Sequence, residues 1–553
     1  MIRVEDWVPT NGITLEPNAI NAVKELKSNV VVSAGPGAGK TELLAQRAEY
    51  LLATGACRYP RRILAISYKV DSARNIRERV RRRCGDELGR RFDSFTFHAF
   101  AKRIIDNYRL LLTDEDALDS DYTIDSRNQI FRKQITFEQV VPLALKILRK
   151  SPHLRNAIQQ TYSYVFLDEF QDTTALQYKL LKEVFLGSDA MLTAVGDSKQ
   201  GIMGWAGAVD DIMKIFAKDF VAKELTLYQN FRSAPVLRRM QNRMVRDMDP
   251  PAALPDAAIQ GNGGLIEVLD FKTSTEEASA IATRVKAWLD AGVLPCEIAV
   301  LVRLQPDLVC RQLMEELKYL GVAARNEQVY QDLMAEPIAA MIFSLIQVLV
   351  GEYQAEAYEH LMGLATLNGR SEETNLRNHR AINSFLVTKR RQFRSNQLTC
   401  SNPGEWRKVI EEFIAMISWP VVYALSPEYQ HGKRVSELIE NAVNLFAQEL
   451  ERDSDPLAAI ERLSEDDAVR ILTIHKSKGL EFEKVVVYGV ERELFRSEDF
   501  DDCRAEFFVA VSRAKNELIL TCVRHRRRPK IGVRYWTERR QPMQRLLGYA
   551  KLN

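Results

Sequence analysis

Short apolar runs alternate with amphipathic stretches along most of this chain. A short apolar run bounded by turn residues is typical of a buried parallel strand. Such runs occupy residues 30–32, 63–67, 164–167, 191–195, 297–302, 484–488 and 517–521. Amphipathic patterns between many of them predict helices, and this alternation indicates α/β folding. Residues 101–150 and 351–459 contain few β-branched runs and are predicted to be helical. We therefore expect two α/β cores, each with a helical insertion.

The charge of the chain is balanced overall but unevenly distributed. Its 553 residues are too many for one core, and 77 Lys plus Arg against 74 Asp plus Glu leave a net charge of +3. Basic residues cluster within residues 74–83, 389–394 and 524–530. Each cluster is suited to lie along a polyanion. A solvated helix face or a charged tail explains any single cluster equally well.

The cysteines and the apolar runs indicate a cytoplasmic protein. None of the seven cysteines forms a C-x-x-C pair or a spacing typical of zinc sites, so we interpret them as reduced thiols. The amino-terminal residues lack the apolar core of a signal peptide, and no apolar run is long enough to cross a bilayer. We therefore predict no membrane partner.

Residues 30–42 read VVVSAGPGAGKTE, an apolar strand that breaks into a glycine-rich turn. This arrangement lets backbone amides and a helix N-terminus surround the phosphates of ATP or GTP. Lys40 is expected to meet the β- and γ-phosphates, and Thr41 to offer its hydroxyl to Mg²⁺. The predicted nucleotide-binding residues are Gly35, Pro36, Gly37, Ala38, Gly39, Lys40 and Thr41. The alternative is a glycine-rich turn with a chance lysine.

Residues 164–173 read YVFLDEFQDT and place two carboxylates at the end of a strand. The carboxyl edge of a parallel sheet is where α/β proteins present ligands. We expect Asp168 to hold Mg²⁺, directly or through water, and Glu169 to polarise the water that attacks the γ-phosphate. An acidic loop at a strand end is the alternative.

These two segments together resemble the nucleotide site of UvrD/Rep/PcrA-type superfamily-one DNA helicases. Further segments match the family's motifs in family order, at residues 96–100 (TFHAF), 195–208 (VGDSKQGIMGWAGA), 229–233 (QNFRS), 473–482 (TIHKSKGLEF) and 509–514 (VAVSRA). The resemblance runs from about residue 15 to residue 520. It implies a P-loop NTPase with two RecA-like parallel-sheet domains. It also implies ATP and Mg²⁺ as cofactors and movement from 3′ to 5′ on single-stranded DNA.

The resemblance assigns ATP-site roles to both α/β cores. Arg232 and Arg513, in the second core, would reach the γ-phosphate and make hydrolysis depend on closure of the cleft. Gln200 would sense the γ-phosphate, Phe231 would stack on adenine, and Glu481 would lie near the ribose. Ordinary core packing is the alternative for Phe231. The predicted catalytic residues are thus Lys40, Asp168, Glu169, Gln200, Arg232 and Arg513.

Flat rings and hydrogen-bonding groups are the side chains that hold single strands, because every base offers a π-face. Trp205 is the foremost candidate for base stacking, since it follows Gln200 closely and a stacked base would respond to ATP. A buried core tryptophan is its alternative. The resemblance adds Tyr68, Phe97, His98, His475 and Lys478 as DNA contacts. The two histidines are equally consistent with structural roles.

The chain departs from the family pattern at several positions. Ala19 stands where the family has a glutamine that reads adenine, although Asn18 is a candidate substitute. Met203 replaces a base-stacking tyrosine, Ala206 replaces an arginine, and residues 69–71 (KVD) replace TNK. These changes weaken the expected preference for ATP over GTP and lower the expected affinity for DNA.

The motif order predicts four domains. We expect residues 1–100 and 151–225 to form the first RecA-like domain, which binds ATP, and residues 101–150 to form its short helical insertion. Residues 226–350 and 460–553 would form the second RecA-like domain, and residues 351–459 its helical insertion.

The insertions are short, and no acidic cluster suited to two-metal cleavage follows Arg513. In these respects the chain resembles the helicase subunit of Gabija-type antiphage systems. That resemblance implies a separate OLD-family nuclease with a Toprim domain as partner, in antiviral defence or DNA repair. One alternative is an ATP-switched sensor of DNA ends or single strands that licenses a nuclease without unwinding. An ATPase acting on RNA or protein is a third, weaker hypothesis.

Overall fold

The computed structural model describes most of the chain. The described residues are 2–10, 12–68, 70–125, 129–204, 207–327, 333–334, 336–352, 354–366, 372–425, 429, 434–464, 468–497, 499–529 and 536–551. Its strands are β1 Val30–Ala34, β2 Arg62–Ser67, β3 Phe92–Thr96, β4 Leu118–Asp125, β5 Arg132–Thr136, β6 Tyr162–Asp168, β7 Met191–Gly196, β8 Lys223–Leu227, β9 Leu265–Thr273, β10 Ile298–Val302, β11 Ala324–Asn326, β12 Val469–Thr473, β13 Phe482–Val487 and β14 Ala514–His525.

The first domain is built on a parallel sheet of six strands in the order β3-β2-β6-β7-β1-β8. Its central strands are apolar on both faces because helices cover both sides of the sheet. The helices of this part of the chain are Pro17–Lys24, Lys40–Ala53, Val70–Gly89, Phe97–Tyr108, Val140–Lys150, Pro152–Thr161, Ala175–Phe185 and Ile212–Asp219. The order brings the carboxyl ends of β6, β7, β1 and β8 to one edge of the sheet.

The second domain repeats this plan with strands that are distant in sequence. Its sheet also has six parallel strands, in the order β11-β12-β10-β13-β14-β9. All five residues of β10 are buried at the centre of the sheet. The helices of this part are Pro235–Met248, Ser274–Asp290, Pro306–Val309, Arg311–Tyr319, Phe500–Val511 and Gln544–Leu547. The α/β prediction, with two parallel-sheet domains, is confirmed.

Two regions interrupt the sheets. Residues 101–150 contain the predicted helices but also the short paired strands β4 and β5, and the helix Val140–Lys150 packs into the core of the first domain. A separate helical cluster has Trp406 fully buried at its centre. Its helices are Pro337–Val350, Ala355–Gly363, Glu372–Arg394, Pro403–Ile417, Trp419–Leu425, Arg434–Asp453 and Pro456–Ser464. The described part of the chain has no helix with the length and apolar character that a bilayer span requires.

Some basic residues of each cluster form ion pairs within the protein. Arg83 pairs with Glu42 at 2.5 Å, and Lys389 pairs with Glu412 at 2.5 Å. In the third cluster Arg526 is 2% exposed and lies between two buried carboxylates, those of Glu277 at 2.8 Å and Glu491 at 2.6 Å. These two arginines and one lysine are held by carboxylates within the fold, so they are not free to follow a polyanion.

Candidate active site

The phosphate loop joins β1 to the helix Lys40–Ala53. Gly37 and Gly39 have φ angles of 69° and 80°, which suit glycine, and Gly39 caps the helix without a side chain. The first amides of a helix have no partner within it, and they attract anions. The Lys40 ammonium donates hydrogen bonds to the carbonyls of Ala34 at 3.2 Å and Gly35 at 3.4 Å, so it lies over the loop. Thr41 follows in the first helical turn. The loop thus has the shape and donors that a triphosphate needs.

The two predicted carboxylates stand at the carboxyl end of β6, two strands from the phosphate loop. Asp168 is 5% exposed, and Glu169 has a φ of 50° that turns the chain sharply. The Gln171 side-chain amide donates to Glu169 Oε2 at 2.5 Å, and its carbonyl accepts from the Asp197 backbone at 3.0 Å. The side chain of Gln171 therefore fixes Glu169 against the end of the neighbouring strand β7.

Charge and burial favour a cation beside Asp168. Burial, assisted by the neighbouring Glu169, raises the pKa of Asp168 well above its usual range, although Lys40 opposes this. Burial also acts to raise the pKa of Glu169, but Lys40 and Lys478 outweigh it, so the pKa of Glu169 is lowered. Carboxylate and hydroxyl oxygens are ligands that suit Mg²⁺. Asp168 and Thr41 therefore fit the cation that accompanies a nucleoside triphosphate.

Two arginines enter the site from the second domain. Arg513 is 2% exposed, and its guanidinium donates to Gln200 Oε1 at 2.8 Å across the domain boundary. Burial and the nearby Arg232 lower the pKa of Arg513 to about 9. Arg232 donates to Glu481 Oε2 at 2.7 Å and to the Ser512 carbonyl at 3.1 Å. Two neighbouring guanidinium groups repel each other, and an anion such as a γ-phosphate stabilises both.

The segment that follows β8 crosses the phosphate loop. The Phe231 backbone amide donates to the Gly37 carbonyl at 3.0 Å. A Cβ added to Gly37 would fall inside contact distance of Asn230 Oδ1 and 2.6 Å from Arg232 Cβ. The Phe231 ring is 63% exposed beside this crossing. Its position is compatible with stacking on a base, and its exposure does not support core packing.

The residues at the expected adenine-reading position make contacts within the protein. Ala19 is 4% exposed, and the Asn18 side-chain amide donates to the Thr226 carbonyl at 2.8 Å. The Glu16 carboxylate accepts from the backbone amides of Tyr228 at 3.1 Å and Gln229 at 3.1 Å. Burial raises the pKa of Glu16. One of the two amide donors of Asn18 is therefore used inside the protein, which restricts how this side chain could read a base.

The candidate DNA contacts of the first domain differ in accessibility. Phe97 is 3% exposed and packs in the core, which favours a structural role for it. His98 stacks on Phe137 with 4.0 Å between ring centroids, and burial lowers the pKa of His98. Tyr68 is half-buried. Trp205 lies outside the described residues.

The candidate DNA contacts of the second domain lie at the boundary between the domains. His475 is half-buried, with its Nε2 atom 3.8 Å from Glu506 Oε1, and burial lowers the pKa of His475. The Lys478 ammonium donates to both carboxylate oxygens of Asp172, at 2.8 and 2.6 Å, and to the Gln200 carbonyl at 2.8 Å. Lys478 is thus engaged by the ATP site rather than exposed in a groove.

Sequence reasoning gave no role to several residues that the structure brings to the site. Gln171 orients Glu169, Asp172 receives Lys478, and Lys199 pairs with Asp197 at 3.0 Å and with Asp249 of the second domain at 3.4 Å. The DEFQDT segment contains Gln171 and Asp172, but the partner of Asp172 is 306 residues away. Such a pairing leaves no local signal in a single sequence.

Two parallel-sheet domains that share one phosphate loop, a strand-end Asp-Glu pair and arginines from the facing domain define a P-loop NTPase with its site in the interdomain cleft. The chain matches the family model of the UvrD/REP helicase N-terminal domain over residues 15–135 and 121–221. Residues 428–525 match the UvrD-like helicase C-terminal domain. The chain therefore belongs to the UvrD/REP family, whose members are ATP-dependent DNA helicases.

Two DNA helicases are similar to this chain along most of their length. DNA helicase II of Escherichia coli (strain K12) is 23% identical over 621 residues, which covers 92% of this chain and 84% of the relative. The ATP-dependent DNA helicase PcrA of Staphylococcus aureus (strain Mu50 / ATCC 700699) is 23% identical over 617 residues, which covers 90% of this chain and 82% of the relative.

Proposed function

We propose that this protein couples ATP hydrolysis to movement along single-stranded DNA, from 3′ to 5′, and separates strands ahead of it. The observation that carries the proposal is the contact between Gln200 and Arg513 at 2.8 Å, because it joins the two domains through the two residues that we propose for sensing and stabilising the γ-phosphate. A change in the bound nucleotide would thereby alter the fit of one domain on the other. This is the coupling that a translocating motor needs.

We assign the roles of the site residues from the family resemblance, and their positions in the fold support that assignment. The loop residues 35–41 would cradle the phosphates, with Lys40 on the β- and γ-phosphates. Asp168 and Thr41 would hold Mg²⁺, which when bound neutralises charge on the phosphates. Glu169, oriented by Gln171, would polarise the attacking water.

The second domain would complete this site. Arg232 and Arg513 would stabilise charge on the transferred phosphoryl group. Phe231 would stack on the base, and Glu481 would lie near the ribose. We also assign to the chain the four domains expected from its motif order and a cytoplasmic location. Tyr68, His98, Trp205 and His475 are the proposed DNA contacts.

Strand separation is the direct test of this function. We expect the purified chain to unwind a duplex with a 3′ single-stranded tail in the presence of ATP and Mg²⁺, and the Lys40→Ala variant to show neither unwinding nor DNA-stimulated hydrolysis. The loss follows because Lys40 lies over the phosphate loop. DNA-stimulated hydrolysis that persists in Lys40→Ala would contradict the site assignment. A matching duplex with a 5′ tail controls for direction.

A second candidate function is an ATP-switched sensor of single strands or DNA ends that licenses a separate nuclease, as an OLD/Toprim-type partner in antiviral defence or DNA repair would require. Its support is the small insertion of the first domain, whose helix Val140–Lys150 packs into the domain core. The same assay separates the two functions. A sensor would hydrolyse ATP on DNA and leave the strands paired.

Trp205 offers a test of coupling between DNA and ATP. We expect Trp205→Ala to reduce DNA-stimulated hydrolysis more than basal hydrolysis, because stacking on a base is worth about 1–3 kcal/mol by alanine substitution. Steady-state rates with and without a single-stranded oligonucleotide measure the two activities. An equal loss of both would indicate that Trp205 is a core residue.

A further inference from the structure

Lys478 belongs to the second domain but is buried against the first. It follows β12, and its side chain is 4% exposed, while that of Asp172 is 2% exposed. An ammonium group has three N–H donors. Its acceptors are Asp172 Oδ1 at 2.8 Å, Asp172 Oδ2 at 2.6 Å and the Gln200 carbonyl at 2.8 Å. A DNA phosphate would have to enter a buried site and displace one of these first-domain acceptors.

Both acceptors of Lys478 belong to elements that shape the catalytic centre. Asp172 ends the short turn Phe170–Asp172, and its backbone amide donates to the Glu169 carbonyl at 3.0 Å. Gln171, in the same turn, donates to the Glu169 carboxylate at 2.5 Å. Gln200 presents its side-chain carbonyl to Arg513 at 2.8 Å. A single ammonium therefore joins the turn behind Glu169 to the residue that meets Arg513.

We propose that Lys478 is a positioning residue for ATP hydrolysis, which acts across the domain boundary through Asp172 and Gln200, and that it is not a contact to the DNA backbone. When the domains close, Lys478 fixes the turn that carries Gln171 and thus the direction of the Glu169 carboxylate. The proposal rests on the proposed function of the same site. It adds a residue pair that makes hydrolysis depend on the facing domain.

The two hypotheses for Lys478 predict different measurements. A positioning residue contributes to kcat, because a displacement of about 1 Å at a reacting group costs about 10²-fold in rate. It leaves the affinity for DNA and the salt dependence of that affinity unchanged. A phosphate contact instead contributes to DNA affinity, and its loss reduces the slope of log affinity against log salt by about one.

The experiment compares Lys478→Met, Asp172→Asn and the variant that carries both changes, with Lys214→Met as control. Lys214 pairs with Asp211 on the surface, and its side chain is 77% exposed. Hydrolysis is measured at saturating single-stranded DNA over a range of ATP concentrations. Anisotropy of a labelled oligonucleotide at several salt concentrations gives the DNA affinity. Circular dichroism on heating reports folding.

We expect each single change to lower kcat by about 10²-fold, with the KM for ATP and the DNA affinity within about threefold of the wild type. The double variant should lose no more than the worse single variant, because both changes remove the same interaction. The double variant leaves no unpaired buried charge, because it removes both the ammonium and the carboxylate. It is therefore compared with the wild type if Lys478→Met unfolds. Weaker DNA binding with unchanged kcat in Lys478→Met would overturn the proposal. A wild-type chain without DNA-stimulated hydrolysis would overturn the proposed function as well.

Discussion

Replacing Arg513 with alanine is expected to lower kcat for DNA-stimulated ATP hydrolysis by about 10³-fold or more. Arg513 is buried at the domain boundary, where its guanidinium contacts Gln200 and where burial lowers the pKa of Arg513. A guanidinium held in a water-poor cleft stabilises charge on the transferred phosphoryl group more strongly than an exposed one. Its removal should therefore affect the transition state more than the bound ground state.

Single-turnover and steady-state hydrolysis measure this effect, and a fluorescent ATP analogue measures nucleotide affinity. We expect affinity to change far less than kcat. Arg524→Ala is the matched control, since Arg524 is an arginine of the same domain whose side chain is 57% exposed and pairs with Asp270. A kcat for Arg513→Ala within tenfold of the wild type would show that this arginine does not act on the reacting phosphate.

Most of the strands that are covered on both faces of a sheet could be predicted from the sequence. Strands β1, β2, β6, β7 and β10 are covered on both faces, so their sequences are nearly continuous apolar runs. Strands β3, β8 and β9 lie at sheet edges, where polar and apolar residues mix, as in the sequence FDSFT of β3. The sequence pattern does not predict these three strands, because it is that of many loops, and it also misses the short edge strand β11 and the short interior strand β12.

The parts of the candidate site that are formed by adjacent residues could be predicted from the sequence, and the parts formed by residues distant in the chain could not. The phosphate loop and the strand-end carboxylates are short segments whose chemistry needs their residues to be adjacent, so the sequence alone indicates them. Lys478 shows the limit of this reasoning. Its motif suggested a DNA contact, but the fold places it against Asp172, 306 residues earlier in the chain. The packing of the two domains decides whether this lysine meets a DNA phosphate or the carboxylate of Asp172. No local sequence pattern indicates which of the two it meets.

Gly37→Ala is expected to lower kcat for DNA-stimulated hydrolysis by about 10²-fold, through the docking of the second domain on the phosphate loop. Gly37 has a φ of 69°, which an alanine adopts at a cost of about 1–2 kcal/mol. Its added Cβ would also lie 2.6 Å from Arg232 Cβ, so the crossing segment has to move. Arg232 would move with it, away from the position of the γ-phosphate.

The matched control is Gly35→Ala, which adds the same methyl group to the same loop with no heavy atom within 4 Å of it. If domain docking is what Gly37 protects, Gly37→Ala should lose far more activity than Gly35→Ala. It should also retain affinity for a fluorescent ATP analogue, because the loop amides are still present. Equal losses in the two variants, or a loss of nucleotide affinity that accounts for the whole effect, would instead place the defect in the phosphate loop. The crossing of residues 229–231 over the loop would then have no part in catalysis.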